Sequence, residues 1–135
     1  MLKIILADNQ AIFRAGAAKV LAVEDDLRVV AQAENPDKLN HALDTLRAGV
    51  LVFSESLSMD VAKLTDTAKK QKTRLVMVAE GPDDPSRFLK LGVNGVLFRH
   101  VSGPTLVECV RRVAKGENYV QDSVEIGRAS CRERV

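Results

Sequence analysis

The chain has little of several features that would place it in a specialised class of protein. It has 135 residues, no tryptophan, 4% aromatic residues and only two cysteines, Cys109 and Cys131. Two cysteines do not make the disulfide framework of a small secreted domain, so we expect a reduced, cytoplasmic protein with Cys109 in its core. No apolar run approaches the roughly 18 residues of a transmembrane helix, and we predict no membrane contact.

A surplus of charge of one sign is also absent, and so is a cluster of metal ligands. The formal net charge is +2, which gives no bulk electrostatic case for binding nucleic acid or a membrane surface. His41 and His100 have no metal-ligating partner at useful spacing. What is present is 46% hydrophobic and 28% charged residues, a composition typical of one globular domain with a substantial core.

The most informative stretch is the contiguous apolar run 50–53, which lies between Gly49 and the pair Ser54-Glu55. Four apolar residues without alternation predict a strand that is buried on both faces, as in the centre of a parallel sheet. Such sheets bind ligands just beyond the carboxyl ends of their strands. We therefore expect function at positions 54 and 55.

Strand-like runs alternate with segments of helical periodicity along most of the chain. Pro36 suits a first helical position and Ser102 an N-cap. The alternation predicts an α/β fold, a doubly wound five-stranded parallel sheet of order 2-1-3-4-5, flavodoxin-like. The predicted strands are 3–7, 27–33, 50–53, 75–78 and 93–98.

Three separated segments carry a family resemblance, in order along the chain. They are residues 6–16 (LADNQAIFRAG), 92–102 (GVNGVLFRHVS) and 113–120 (VAKGENYV). These segments resemble the receiver domain of bacterial two-component response regulators, closest to the NarL/FixJ-like subgroup, in which a LuxR-type helix-turn-helix follows. The resemblance covers residues 2 to about 121 and implies the CheY-like receiver fold and a role in phosphorelay signalling and transcription regulation.

The resemblance also implies a phosphorylation site at the carboxyl edge of the sheet. In the family, two carboxylates after the first strand hold Mg²⁺, and an aspartate after the third strand accepts the phosphoryl group. A hydroxyl after the fourth strand and a lysine after the fifth contact the phosphoryl oxygens.

This sequence departs from that pattern at almost every position. Ser54 matches the phospho-acceptor position, but a shift of one residue in the match to the family would put Glu55 there, where it would mimic a phosphorylated aspartate. We predict no metal site, with Asp8 as a weak candidate only. The matching positions are Asp8 and Asn9 for the acidic pair, Ser54 for the phospho-acceptor, Ala79 for the switch hydroxyl, Arg99 for the lysine and Val96 for the aromatic switch.

Ordinary structural roles are the alternative for the same residues. A serine is a poor phospho-acceptor without a base, and no histidine is placed to serve Ser54, so we expect a solvated strand end rather than a nucleophile. We expect Asp8 to pair with Arg99 or to cap the first helix. Arg99 presents a planar fork of donors, and we expect it to bridge Asp8 and Glu55 as a fixed ion pair.

Two functions follow as hypotheses. The first is a non-catalytic, phosphorylation-independent receiver domain, not an enzyme and without a cofactor. It would act as a homodimer and through its own helix-turn-helix output domain, with a sensor kinase or another signalling protein as a further partner and no DNA contact by this fragment. The alternative is a residually active, Mg²⁺-dependent phospho-acceptor that uses Glu55 and Asp8. A flavodoxin-like binder of phosphate ligands is less favoured, because no Gly-rich loop follows the first strand.

The predicted domain organisation has three segments. Residues 1–121 form the receiver-like domain, and residues 122–124 begin an interdomain linker to an output domain that this sequence lacks. Residues 125–135 can be back-translated to a sequence that resembles a short-read sequencing adapter, and we interpret them as a non-native tail.

Overall fold

A computed structural model describes residues 1–80 and 85–121 as a parallel sheet covered by helices on both faces. The strand order is β2-β1-β3-β4-β5-β6, so the predicted doubly wound fold and the order of its first five strands are confirmed. The predicted linker and tail lie outside the described residues. The strands are β1 (Leu2–Ala7), β2 (Leu27–Ala33), β3 (Val50–Ser54), β4 (Arg74–Ala79), β5 (Gly95–Phe98) and β6 (Tyr119–Val120).

The predicted count of five strands is wrong, because β6 extends the sheet beside β5. The Tyr119 amide donates to the Asn94 carbonyl and the Gln121 amide to the Val96 carbonyl, at 3.0 and 2.9 Å. A strand of two residues is too short to show a hydrophobic period, so the sequence pattern did not reveal it. The predicted fifth strand also began too early, since pairing starts at Gly95 rather than at residue 93.

The helices begin where the sequence provides caps. The Asn35 side chain accepts from the Lys38 amide at 2.9 Å, and Ser102 accepts from the Thr105 amide at 3.3 Å. Both side chains thereby satisfy a backbone donor that the first turn leaves free. The helices are α1 (Ala11–Ala22), α2 (Pro36–Thr45), α3 (Val61–Gln71), α4 (Pro85–Leu91) and α5 (Gly103–Ala114), with a 3₁₀ turn at Glu55–Leu57.

Two hydrophobic cores, one on each face, account for the uninterrupted apolar strands. In β3, Leu51 and Phe53 face α2, α3 and α4, whereas Val50 and Val52 face α1 and α5. Successive strand side chains point to opposite faces, so a strand covered on both sides is apolar throughout. Cys109 lies in the second core, where burial raises the pKa of its thiol to about 12.

All strand pairs are parallel, so the residues that follow β1, β3, β4 and β5 meet at one edge of the sheet. This carboxyl edge is therefore where the topology brings distant polar residues together. Within residues 1–80 and 85–121, no helix is long and apolar enough to cross a membrane.

Candidate functional site

Polar side chains at the ends of four strands form one hydrogen-bonded cluster at the carboxyl edge. Asp8 follows β1, Ser54 ends β3, Glu80 follows β4 and Arg99 follows β5. We call these four residues, with Ser56 of the 3₁₀ turn, the Arg99 cluster. Its members are far apart in sequence and come together only through the parallel order of the sheet.

The Arg99 guanidinium is the centre of this cluster. Its Nη1 donates to Asp8 Oδ2 and its Nη2 to Asp8 Oδ1 at 3.0 Å, a two-point contact with one carboxylate. Its Nε donates to Glu80 Oε2 at 2.9 Å, on the other side of the fork. Nη2 also lies 2.7 Å from Ser54 Oγ and 3.1 Å from Ser56 Oγ. The planar fork of arginine suits such a bridge, and the single point charge of lysine does not.

The cluster is largely shielded from solvent. The Asp8 side chain is 5% exposed and that of Arg99 20%, while Glu80 is 36% exposed at the outer side. Arg99 also stacks over the Phe13 ring of α1, at 4.7 Å from the centroid. Burial lowers the pKa of Arg99, but hydrogen bonds and charges from Asp8 and Glu80 outweigh it and raise that pKa above its ordinary value. Arg99 is therefore held as a fixed cation.

Ser54 is fully buried, so the prediction of a solvated strand end is wrong. The Arg99 guanidinium lies against it, and Glu80 Oε2 is 3.2 Å from its Oγ. Ser54 Oγ also accepts from the Ser56 amide at 3.0 Å and lies 2.6 Å from Ser56 Oγ. Asn9 joins this network, since Ser56 Oγ donates to Asn9 Oδ1 at 2.6 Å.

The prediction that Arg99 bridges Asp8 and Glu55 is half wrong. The pairing with Asp8 is present, and Asp8 Oδ1 also accepts from the Gln10 amide at 2.8 Å. The second carboxylate, however, belongs to Glu80. Glu55 lies in the 3₁₀ turn beyond the end of β3, and its Oε1 instead accepts from the Glu80 amide at 2.8 Å.

Glu80 and Ser56 are the members of the cluster that sequence analysis missed. A signal was available, because Glu80 directly follows the apolar run of β4 and must lie at the same edge as Ser54. The two other predicted positions bring no polar group to the edge: Ala79 is 2% exposed and Val96 is fully buried. In the described ranges, no group of three or more His, Cys, Asp or Glu side chains is placed to hold a metal ion.

No protein-family model matches this chain, but curated sequences and solved structures do. The transcriptional regulatory protein DegU of Brevibacillus brevis is 26% identical over 128 residues, which is 91% of this chain and 54% of DegU. The chain thus spans about half the length of the curated relatives it matches.

Two receiver-domain structures show the shared fold. The signal receiver domain of a NarL response regulator from Mycobacterium tuberculosis has a TM-score of 0.76 at 20% identity, over 86% of this chain and 98% of that one. The isolated receiver domain of RcsB from Salmonella enterica serovar Typhimurium has a TM-score of 0.78 at 22% identity, over 92% and 96%. The chain therefore has the fold of these receiver domains, and over most of its length its sequence is similar to that of response regulators such as DegU.

Proposed function

We propose that this chain is a response-regulator receiver domain of the NarL/LuxR type that signals without phosphorylation and without catalysis, with the Arg99 cluster in place of a bound Mg²⁺ and a phosphoryl group. In this proposal Ser54 stands at the phospho-acceptor position and Asp8 and Asn9 at the acidic pair. The remaining positions are Ala79 for the switch hydroxyl, Val96 for the aromatic switch and Arg99 for the lysine.

The observation that carries the proposal is the Arg99 bridge itself. Mg²⁺ requires a set of free oxygen ligands. Here the Asp8 carboxylate already binds Arg99 through both oxygens, and the same guanidinium holds Glu80. A cation supplied by the chain therefore already pairs with both carboxylates, whose oxygens a metal ion would need. The oxygen atoms at this edge cannot serve as ligands of Mg²⁺ unless Arg99 moves away.

The acceptor position offers no reactive nucleophile. A serine hydroxyl attacks a phosphoryl group only when an adjacent base removes its proton. The carboxylate closest to Ser54 Oγ is that of Glu80, and its charge is engaged by Arg99. Glu55, the alternative acceptor, has one oxygen bonded to the Glu80 amide and no contact with Asp8. Neither residue is arranged for phosphoryl transfer.

We propose further that the domain acts through protein contacts, as a homodimer and on its own helix-turn-helix output domain. A related structure contains two RcsB dimers bound to two parallel DNAs. In this chain, the groove between α1 and α5 has a volume of about 670 Å³ and is lined by Val20, Val23 and Val107. Val23 is 73% exposed.

The dimer proposal has a direct test. The substitution Val23→Asp should leave the fold intact, because the side chain is exposed, and should weaken self-association in light-scattering measurements across a concentration series. If Val23→Asp self-associates as strongly as the unmodified chain, the α1–α5 face is not the dimer interface.

Exposure to a small phosphodonor tests the absence of phosphorylation. The protein is incubated with Mg²⁺ and acetyl phosphate, and its intact mass is measured. We expect no adduct of about 80 Da, the mass that a phosphoryl group adds. A variant with Asn9→Asp, Ser54→Asp, Ala79→Thr and Arg99→Lys restores the donors of the family and serves as the positive control.

An adduct on the unmodified chain would contradict the proposal. If the adduct disappeared in the Glu55→Gln variant, the alternative would stand: a Mg²⁺-dependent phospho-acceptor that uses Glu55 and Asp8. If it persisted in Glu55→Gln and disappeared in Ser54→Ala, Ser54 would be the acceptor.

A further inference from the structure

A cavity of about 300 Å³ lies beside the Arg99 cluster and shares only Ser54 with it. It is enclosed by the end of β3, by β4, by the segment from the 3₁₀ turn to the start of α3, and by α4. Its volume is at the lower end of the ~300–1,000 Å³ of small-molecule pockets, and it lies beyond the carboxyl ends of parallel strands. The lining residues are Phe53, Ser54, Glu55, Ser58, Met59, Val61, Met77 and Phe88.

The walls of this cavity are apolar and adaptable. Phe53, Met77 and Phe88 are buried, and the partly exposed Met59 and Val61 are packed against the same core. Methionine side chains are unbranched and polarisable, so they adjust to the shape of what they contact. Atoms that line an unfilled space lack dispersion partners, and an apolar ligand would supply them.

The one ionisable group among the residues that line the cavity is the Glu55 carboxylate. Glu55 is partly exposed there, and one of its oxygens accepts from the Glu80 amide. An ionised carboxylate has further acceptor capacity beyond one hydrogen bond. No ion pair joins Glu55 to a cation among the described residues. Next to it, Arg99 pairs with Asp8 and Glu80 rather than with Glu55.

We infer that this cavity binds a small molecule with an apolar body and one primary amine, an arylalkylamine or alkylamine. The body fills the space between Phe53, Met77 and Phe88, and the ammonium group donates to the Glu55 carboxylate. The proposed contacts are made by Glu55, Phe53, Met77 and Phe88, which lie outside the Arg99 cluster. It assigns a ligand class to a part of the edge that the Arg99 cluster leaves open.

Methionine methyl NMR tests this inference with a built-in reference. The chain contains three methionines, so ¹³C-methyl labelling gives three signals. Met59 and Met77 line the cavity, while Met1 is 78% exposed and does not. Three probes that share one body are titrated: phenethylamine, phenethyl alcohol and 3-phenylpropionate.

We expect phenethylamine to shift the Met59 and Met77 signals and to leave Met1 unmoved. It should bind roughly fivefold tighter than the alcohol, as one partly exposed ion pair contributes, and the carboxylate should bind most weakly. In the Glu55→Gln variant, phenethylamine should bind no more tightly than phenethyl alcohol. The glutamine keeps an oxygen that accepts from the Glu80 amide. Val61→Phe should fill the cavity and weaken all three probes.

Glu117→Gln serves as the matched control for charge, because Glu117 is exposed and does not line the cavity. It should bind all three probes as the unmodified chain does. Absence of any Met59 or Met77 shift, or equal shifts in Val61→Phe, would overturn the binding site. Equal binding of amine, alcohol and carboxylate would overturn the assigned ligand class.

Discussion

Two arginines in this domain each bridge two carboxylates, and they differ mainly in burial. Arg99 joins Asp8 to Glu80 at the carboxyl edge, while Arg111 of α5 joins Glu24 to Asp26 near the end of α1. The Arg99 side chain is 20% exposed and that of Arg111 is 41% exposed. The pKa of Arg111, like that of Arg99, is raised, first by its hydrogen bonds to Asp26 and Glu24.

The difference shows why similar contacts carry different weight. An exposed ion pair gains little, because water screens the charges and two long side chains lose freedom. A buried carboxylate that loses its cation is left uncompensated in a medium that solvates it poorly. We therefore assign a structural role to Arg99 and only a minor one to Arg111.

The largest effect is expected from Arg99→Ala. It leaves the nearly buried Asp8 carboxylate without its cation, and we expect the free energy of unfolding to fall by about 3 kcal/mol. Urea denaturation followed by circular dichroism measures the change. A loss equal to that of Arg111→Ala would show that burial does not distinguish the two bridges.

A smaller effect is expected from Arg99→Lys. Lysine keeps the positive charge but cannot contact both oxygens of Asp8 and also reach Glu80 as a fork does. We expect a loss of about 1.5 kcal/mol in the same assay. The matched substitution Arg111→Lys should leave the free energy of unfolding nearly unchanged. Equal losses in the two variants would mean that the planar geometry of the guanidinium adds no stability at Arg99.

Arg111→Ala itself should cost much less stability than Arg99→Ala in low salt. High salt should reduce the cost of Arg111→Ala further, because exposed charges are screened over about 3 Å at 1 M ionic strength. The cost of Arg99→Ala should change much less between the same two salt concentrations. Parallel salt responses of the two variants would contradict the assigned difference in burial.

The smallest effect is expected in the dependence of folding stability on pH. The hydrogen bond from Arg111 lowers the pKa of Asp26 below its ordinary value of 3.8. A carboxyl whose pKa falls on folding stabilises the folded state above its ordinary pKa, and the benefit disappears as the pH falls through the lowered value. The stability difference between the unmodified chain and Asp26→Asn should therefore be present at neutral pH and vanish in strong acid. A difference independent of pH would rule out this linkage.

The fold was largely predictable because its signals are local or periodic. Uninterrupted apolar runs marked β1 and β3, and Pro36 and Ser102 marked the starts of α2 and α5. The two-residue β6 could not be predicted in this way, because its pairing with β5 depends on the tertiary structure alone.

The site was predictable in part, for a related reason. The pairing of Asp8 with Arg99 followed from strand order, since both residues directly follow strands of one parallel sheet. The burial of Ser54 and the identity of the second carboxylate did not follow. Both depend on where the 3₁₀ turn directs Glu55 and on how the long Arg99 side chain lies across the edge.

The Nε–H signal of Arg99 provides the most direct test of the proposal that this arginine replaces metal and phosphoryl group. In ¹⁵N-labelled protein, with Arg99→Lys for assignment, we expect a signal protected from solvent exchange. Addition of Mg²⁺ together with beryllofluoride should leave that signal in place. A shift or loss of protection at millimolar Mg²⁺ would show that the metal displaces Arg99 from the cluster, and would contradict the account.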